Sequence, residues 1–178
     1  MISSVDKLTV LFAGKLETKK NPLLLVQAAK VFPDIHFIIV GNGELETSIR
    51  DDAGEAKNIT LLPFQNQSKM PVVYRMADIF VLPSKGPGET WGLALNEAMA
   101  SGRIVIASNR CGGAIDLVKD EENGFTINPD LTSFSIALRS LLNMKTRWSD
   151  MKERSLELIK RYNLERLSQS IEGIMNTA

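Results

Sequence analysis

Residues 77–108 read ADIFVLPSKGPGETWGLALNEAMASGRIVIAS and contain two apolar strand candidates on either side of a helix candidate. The runs "ADIFVLPS" and "RIVIAS" are almost continuously apolar, as is typical of parallel strands that are buried on both faces. The segment "GETWGLALNEAMASG" between them predicts a helix that starts near Trp91 and Gly92. A strand, a helix and a second strand in this order favour a parallel α/β sheet.

The same alternation extends toward both ends of the chain. Further strand candidates are "LTVLFAG", "IHFIIVGNG", "NITLLPF" and "GFTINP". Between the first two, Pro22 suits a first helical turn, and an apolar stripe follows it, formed by Leu24, Leu25, Ala28, Val31 and Phe32. We therefore predict an α/β fold, a Rossmann-like doubly wound parallel sheet of about six strands with helices on both faces.

From about Asp130 onward the pattern is helical only, which predicts extra C-terminal helices. One apolar stripe is formed by Phe134, Ala137, Leu138, Leu141 and Leu142. A second stripe is formed by Leu164, Leu167, Ile171, Ile174 and Met175. The segment "KTRWSDMKERSLELIKRYN" between them carries charges of both signs, which favours an amphipathic surface helix over membrane contact. With no internal repeat and no long linker, residues 1–178 are expected to form a single domain.

The composition narrows the class of protein. The chain has 178 residues, 44% of them hydrophobic, and its 21 basic and 21 acidic residues give a formal charge of zero. Bulk charge therefore gives no support to nucleic-acid binding. One cysteine, Cys111, allows no intrachain disulfide and favours a reducing compartment. No apolar run approaches the ~20 residues that span a bilayer, so we expect a cytoplasmic protein.

Glycines and charged residues follow the strand candidates. Gly14, Lys15 and Lys20 come after the first strand, "PSKGPGET" after the fourth and "SNRCGG" after the fifth. Ligands of doubly wound sheets bind at the carboxyl ends of the strands, where the strand order reverses. With the common order 3-2-1-4-5-6, the loop of Lys15 and Lys20 would face the loop of Glu89 across a crevice.

The helix that starts near Gly92 would offer free backbone N–H groups and a partial positive charge, which suit a phosphate. We expect Gly92 to let a ligand approach the backbone closely. Glu97, deeper in the helix, could accept hydrogen bonds from ribose hydroxyls, and Glu89 from a group beyond the phosphates. With Lys15 and Lys20 as opposing cations, the pattern predicts a site for a sugar nucleotide.

Four segments together resemble the C-terminal, donor-nucleotide-binding domain of a retaining family 4 glycosyltransferase of the GT-B fold. "FAGKLETKKNP" resembles the family's G-R-L-x-x-x-K segment, with Lys15 at the arginine and Lys20 at the lysine. "ETWGLALNE" matches its E-x7-E motif through Glu89 and Glu97. "EAMASGRIVIAS" and "CGGAIDLVKDEENGFTINPD" match the segments that follow, so the resemblance covers about residues 7 to 130.

The resemblance implies a role for each site residue. Glu89 would contact hydroxyls of the donor sugar, Glu97 would bind the ribose, and Lys15 and Lys20 would bind the diphosphate. The catalytic residues would thus be Glu89, Lys15 and Lys20. The donor would be bound by Gly14, Leu62, Pro63, Phe64, Trp91, Gly92, Leu93 and Glu97. Lys15 in place of arginine offers a point charge instead of a bidentate fork, which would alter the diphosphate clamp.

The implied reaction transfers a hexosyl group from a nucleoside diphosphate sugar, most simply a UDP- or GDP-sugar, to an acceptor hydroxyl with retention of configuration. No further cofactor is expected, and the absence of an Asp-x-Asp motif, with a single histidine, argues against a metal. The acceptor would be a glycan or lipid-linked molecule in polysaccharide assembly. Peripheral membrane association would then place the enzyme at the inner face of the cell membrane.

A first strand that begins about seven residues into the chain suggests a start at a domain boundary. The resemblance implies that an N-terminal acceptor lobe is absent, so the isolated chain should bind nucleotide and catalyse little.

Two other functions stay open, namely a non-catalytic sugar-nucleotide-binding domain and a GT-B-type epimerase. A dinucleotide-binding module is disfavoured because the first strand lacks a following G-x-G-x-x-G, and no P-loop motif occurs. His36 and Cys111 are predicted to be structural, and Asp116 to be a first-turn charge.

Overall fold

The computed structural model describes residues 7–86 and 88–162, and it contains every predicted strand. The strands are β1 (Thr9–Ala13), β2 (His36–Val40), β3 (Ile59–Leu62), β4 (Ile79–Leu82), β5 (Ile104–Ser108) and β6 (Gly124–Ile127). The second predicted C-terminal stripe, from Leu164 to Met175, lies outside the described residues.

The six strands form one sheet in the order β3-β2-β1-β4-β5-β6, and all neighbours are parallel. This is the common order of doubly wound sheets, in which the loop of Lys15 and Lys20 is expected to face the loop of Glu89. Strand β1 pairs with β2 on one side and with β4 on the other, where Val10 aligns with Ile79. The chain reverses its winding direction between β1 and β4, so the loops that follow these two strands border a crevice.

Seven α-helices connect or follow these strands in the described part of the chain. They are α1 (Leu23–Val31), α2 (Glu46–Ala53), α3 (Met70–Arg75), α4 (Leu93–Ala100), α5 (Ala114–Leu117), α6 (Leu131–Asn143) and α7 (Trp148–Ile159). Helix α6 begins at Asp130, whose side chain accepts a hydrogen bond from the Ser133 backbone at 2.8 Å. Among the described residues no helix is long and apolar enough to cross a bilayer.

Alternating side chains of each strand fill two cores, one on each face of the sheet. The first core joins Val10 and Phe12 of β1 to α1, α2 and α6. The second core joins Leu11 and Ala13 to α3, α4 and α5. Helix α7 contributes Met151 to the first core and Leu158 to the second. Its charged residues lie outward, so the predicted amphipathic surface helix is confirmed.

The apolar stripe predicted for α1 was wrong at one position. Val31 is 42% exposed, whereas Val26 and Ala29, which the stripe left out, are buried. The helix buries a broad face, which includes Leu24, Val26 and Ala29, and Val31 is its exposed last residue.

Candidate functional site

The loops that follow β1 and β2 lie against each other through their backbones. The Gly14 N–H donates to Val40 O at 3.0 Å, and the Leu16 N–H donates to Asn42 O at 2.9 Å. Gly41 has a positive φ of 149°, and a Cβ there would overlap the carbonyl oxygen of Gly14. Glycine at position 41 is therefore required by the contact between the two loops.

The loop after β4 is hydrogen-bonded to its neighbours on both sides. The Lys85 N–H donates to Lys19 O at 2.8 Å, which joins it to the loop after β1. The N–H of Gly112 donates to Glu89 O at 3.0 Å, which joins it to the loop after β5. We call the loops after β1, β2, β4 and β5 the bonded loops. Backbone hydrogen bonds thus link the loops that carry Gly14, Lys15, Lys20 and Glu89.

Lys20 and Glu89 form an ion pair across the crevice between β1 and β4. Their side chains are only 21% and 12% exposed, so water screens the pair less than it would at the surface. The hydroxyl of Ser84, a residue that is 1% exposed, donates to the same Glu89 Oε2 at 3.0 Å. The pair thus places the Lys20 ammonium beside the Glu89 carboxylate in the crevice between β1 and β4, where the winding of the chain reverses.

Helix α4 begins beside this ion pair. Gly92 lies at its N-terminus with φ of 87°, a conformation that residues with a Cβ rarely adopt. A Cβ on Gly92 would collide with Cys111 Sγ and with Leu82. Glycine at position 92 is therefore required by the packing of the core, and the approach of a ligand to its backbone stays a prediction. Within the described residues the backbone N–H groups of Gly92, Leu93 and Ala94 have no acceptor.

Glu97 lies within α4 and accepts two hydrogen bonds. The Tyr74 hydroxyl donates to Oε2 at 2.7 Å, and the Gln67 side-chain amide donates to Oε1 at 2.6 Å. Burial, and then the hydrogen bond and charge of Glu97, raise the pKa of Tyr74, so its hydroxyl keeps its proton. The carboxylate is thereby held at a fixed place in the wall of a cavity.

That cavity has a volume of about 380 Å³ and is lined by Gly14, Lys15, Gly41, Phe64, Tyr74 and Glu97, among others. A larger depression of about 620 Å³ lies between the loop after β5 and α5, around Arg110 and Ile115. None of the predicted site residues lines the larger depression. We place the candidate site at the smaller cavity and the adjoining Lys20–Glu89 pair, where the predicted residues converge.

The structure brings some predicted residues together and sets others apart. Gly14, Lys15, Phe64 and Glu97 line the cavity, and Lys20 pairs with Glu89 beside it. The remaining predicted residues do not line the cavity and lie at the end of β3 or around the start of α4, namely Leu62, Pro63, Trp91, Gly92 and Leu93. Leu93 is 70% exposed.

Sequence reasoning missed Ser84, Tyr74 and Gln67. Ser84 lies two residues after β4, and a polar residue just beyond the carboxyl end of a buried strand was a usable signal. A tyrosine on the buried face of α3 was also a signal, because its hydroxyl must find a partner. Gln67 is an exposed loop residue, and nothing in its sequence neighbourhood marked it.

Cys111 and His36, which were predicted to be structural, and Asp116, which was predicted to be a first-turn charge, lie in positions that fit these predictions. The Cys111 thiol is buried, bonds to Trp91 O at 3.1 Å and has a pKa raised mainly by burial. His36 lies in β2 with Nε2 at 2.9 Å from the Thr60 hydroxyl. Asp116 lies in the first turn of α5. No cluster of three or more potential metal ligands occurs among the described residues.

Comparison with known proteins identifies a family. The model of the family "Glycosyl transferases group 1" matches residues 3–158. D-inositol 3-phosphate glycosyltransferase of Mycobacteroides abscessus is 35% identical over 130 residues, which are 68% of this chain and 29% of that protein. An Escherichia coli UDP-Gal:alpha-D-GlcNAc-diphosphoundecaprenol alpha-1,3-galactosyltransferase is 38% identical over 136 residues, 70% of this chain and 34% of that protein.

Solved structures share the fold. The crystal structure of Anabaena Alr3699/HepE in complex with UDP and glucose has a TM-score of 0.83 at 20% identity. The alignment covers 97% of this chain and 49% of that one. The chain thus spans about a third of the length of the two curated relatives and about half of this structural neighbour.

Proposed function

This chain belongs to the glycosyl transferases group 1, and we propose that it binds a nucleoside diphosphate sugar in the crevice between β1 and β4. Together with an N-terminal lobe, it would transfer the glycosyl group to an acceptor hydroxyl with retention of configuration. The observation that carries the proposal is the convergence of Lys20, Glu89 and the N-terminus of α4 beside the cavity that holds Glu97.

Lys15, Lys20 and the α4 N-terminus would hold the diphosphate. The bond between the sugar and the diphosphate breaks during transfer, and negative charge builds up on the leaving group. Cations and backbone N–H groups that are already in place stabilise such charge without reorganising. The free N–H groups of Gly92 to Ala94 and the partly buried Lys20 support this assignment.

The two glutamates would bind the parts of the donor that carry hydroxyls. Glu89, the acidic member of the ion pair with Lys20, would accept hydrogen bonds from the hydroxyls of the sugar. Glu97 would accept them from the ribose within the cavity, where Phe64 offers an apolar surface to the base. Leu62, Pro63, Trp91 and Leu93 would contribute through their backbones.

The acceptor and the location of the enzyme are part of the same proposal. The two curated relatives act, by their names, on an inositol phosphate and on a diphosphoundecaprenol-linked sugar. We infer a glycan or lipid-linked acceptor, met at the cytoplasmic face of a membrane, in the assembly of a polysaccharide or glycoconjugate.

A calorimetric titration with UDP, GDP and ADP tests the donor site. We expect one nucleotide to bind preferentially, and Lys20→Ala and Glu97→Ala each to weaken it about tenfold or more, because hydrogen bonds to charged groups contribute about 1.5–3 kcal/mol. Lys57→Ala and Glu55→Ala remove the same charges between α2 and β3, at the opposite edge of the sheet. These controls should bind like the parent.

Two results would count against the proposal. Equal losses in the site variants and the controls would mean that only net charge matters. No binding at millimolar concentration, either by this chain or by a form that carries an N-terminal lobe, would exclude a donor site.

A further inference from the structure

The two oxygens of Glu97 are held by donors of different kinds. Oε2 accepts from Tyr74, which is 1% exposed, and Oε1 accepts from Gln67, which is exposed. All three side chains line the same cavity. One oxygen is therefore bound from inside the protein and the other from the side that a ligand would enter.

Tyr74 cannot easily leave its position. Its ring packs in the second core against Phe80, with centroids 5.3 Å apart at an interplanar angle of 78°. Its hydroxyl would lose its only partner among the described residues if it moved away from Glu97. Burial and the neighbouring carboxylate also raise the pKa of Tyr74, so it remains a hydrogen-bond donor.

Gln67 can leave at little cost. It lies in a short 3-10 turn, Gln67–Lys69, at the surface. A surface amide that gives up a carboxylate exchanges one hydrogen bond for bonds to water, and it also regains side-chain freedom. Of the two bonds to Glu97, the one at Oε1 is the one that an incoming hydroxyl can replace.

We propose that Tyr74 is a positioning residue that fixes Glu97 through Oε2, and that Gln67 holds the place at Oε1 that the ribose hydroxyls of the donor take. The inference rests on the proposed function, since it concerns the same site. It predicts opposite effects for the two partners of one carboxylate. Loss of the tyrosine hydroxyl should weaken recognition of the ribose, and loss of the glutamine should strengthen it.

The test is a calorimetric titration of the whole chain with the preferred nucleoside diphosphate and with its 2′,3′-dideoxy analogue. The parent should prefer the ribo form. Tyr74→Phe keeps the ring and should reduce that preference about fivefold, with the affinity for the dideoxy form unchanged, because only the orientation of Glu97 is lost. Gln67→Ala should bind the ribo form about twofold more tightly, because a competing donor is removed.

Gln27→Ala provides a matched control, because Gln27 is an exposed glutamine on α1, away from the cavity. A Tyr74→Phe variant that weakens both nucleotides equally would show a packing role only and would overturn the proposal. A Gln67→Ala variant that weakens the ribo form would overturn it as well. A parent without preference for the ribo form would instead remove Glu97 from ribose binding, and with it the assignment made under the proposed function.

Discussion

Glu89 and Glu97 have the same side chain, and their neighbours determine what each can do. Glu89 is paired with a cation, Lys20, and with the buried hydroxyl of Ser84. Among the described residues, Glu97 accepts from neutral donors only, a tyrosine hydroxyl and an amide. A carboxylate paired with a cation suits a place beside a charged diphosphate. A carboxylate with neutral partners suits the binding of neutral hydroxyls, because hydrogen bonds from hydroxyls to a carboxylate are charge-assisted.

His36 provides a pH prediction at the scale of one residue. Burial, and secondarily the nearby charge of Lys7, lower its pKa from the ordinary value of 6.5. The unfolded chain therefore binds a proton more readily than the folded chain over the interval between the two pKa values. Its contribution to stability should be complete above pH 6.5 and should fall as the pH drops through that interval.

Urea unfolding of the parent and of His36→Gln, followed from about pH 7.5 to about pH 5, checks this prediction. The parent should lose more stability on acidification than the variant, which keeps a polar partner for Thr60. Carboxylates titrate alike in both proteins, so the difference between them isolates His36. Identical pH profiles would show that His36 has the same pKa in both states.

At the scale of single residues, the sequence could predict part of the site. It predicted, for the common strand order, that the loop of Lys15 and Lys20 would face the loop of Glu89, because these loops follow neighbouring strands. It could not predict that Tyr74 reaches Glu97. That contact depends on how α3 and α4 pack together, and no local pattern encodes the packing of two helices.

At the scale of elements, the glycines after the strands allow neighbouring loops to pack closely against each other. In the sequence, their clustering with charged residues indicates the edge of the sheet where a ligand would bind. In the structure, Gly41, Gly43, Gly112 and Gly113 lie where a Cβ would strike the backbone of a neighbouring loop. A glycine-rich edge looks the same in sequence whether a phosphate or another peptide lies close to it, so this distinction required the structure.

Gly14 and Gly41 give a matched test of that contact. Each directly follows one of two neighbouring strands, with φ of 159° and 149°. A Cβ on Gly14 would meet only the Phe12 ring, at 3.6 Å, whereas a Cβ on Gly41 would strike the Gly14 carbonyl. We expect Gly41→Ala to lower the free energy of unfolding by about 2–4 kcal/mol and Gly14→Ala to lower it by less.

Chemical denaturation of both variants measures the difference. Both substitutions place a side chain at a similar φ, so their common conformational cost cancels and the overlap remains. Equal destabilisation would mean that the loop after β2 can move away from the loop after β1.

On the scale of the whole molecule, two cores lie on opposite faces of one sheet, and α7 packs into both. The fold class and the family were predicted correctly, because apolar runs and glycine-rich strand ends are local in sequence. The strand order was the common one, taken as a condition, and the structure has it. The position of α7 was not predicted. Its amphipathic pattern indicates that one face is buried, and leaves open which surface covers it.

Because α7 joins both cores, we expect the described domain to unfold in one transition. Met151→Ala and Leu158→Ala should each lower the free energy of unfolding by about 2–5 kcal/mol and leave that transition single. Trp91 near α4 and Trp148 in α7 allow two single-tryptophan variants, each made by replacing the other tryptophan with phenylalanine. Their fluorescence midpoints should coincide in every background.

Leu156→Ala serves as the control on the same helix, because Leu156 is 38% exposed and should matter less. Two separate midpoints in the Met151→Ala or Leu158→Ala background would show that the two faces unfold independently.

The hydrogen bonds between the bonded loops also limit which loops of the domain can change in length or sequence. The four bonded loops, at the carboxyl ends of the strands, are linked by backbone hydrogen bonds. A change of length in one of them is therefore expected to disturb its neighbours. The Met70 N–H donates to Gln67 O, whereas among the described residues no backbone hydrogen bond joins residues 63–69, between β3 and α3, to one of the bonded loops. This segment carries Phe64 and Gln67. We therefore expect insertions, deletions and randomised residues to be best tolerated in residues 63–69, which would bind the base. The loops that would bind the diphosphate are expected to change only together.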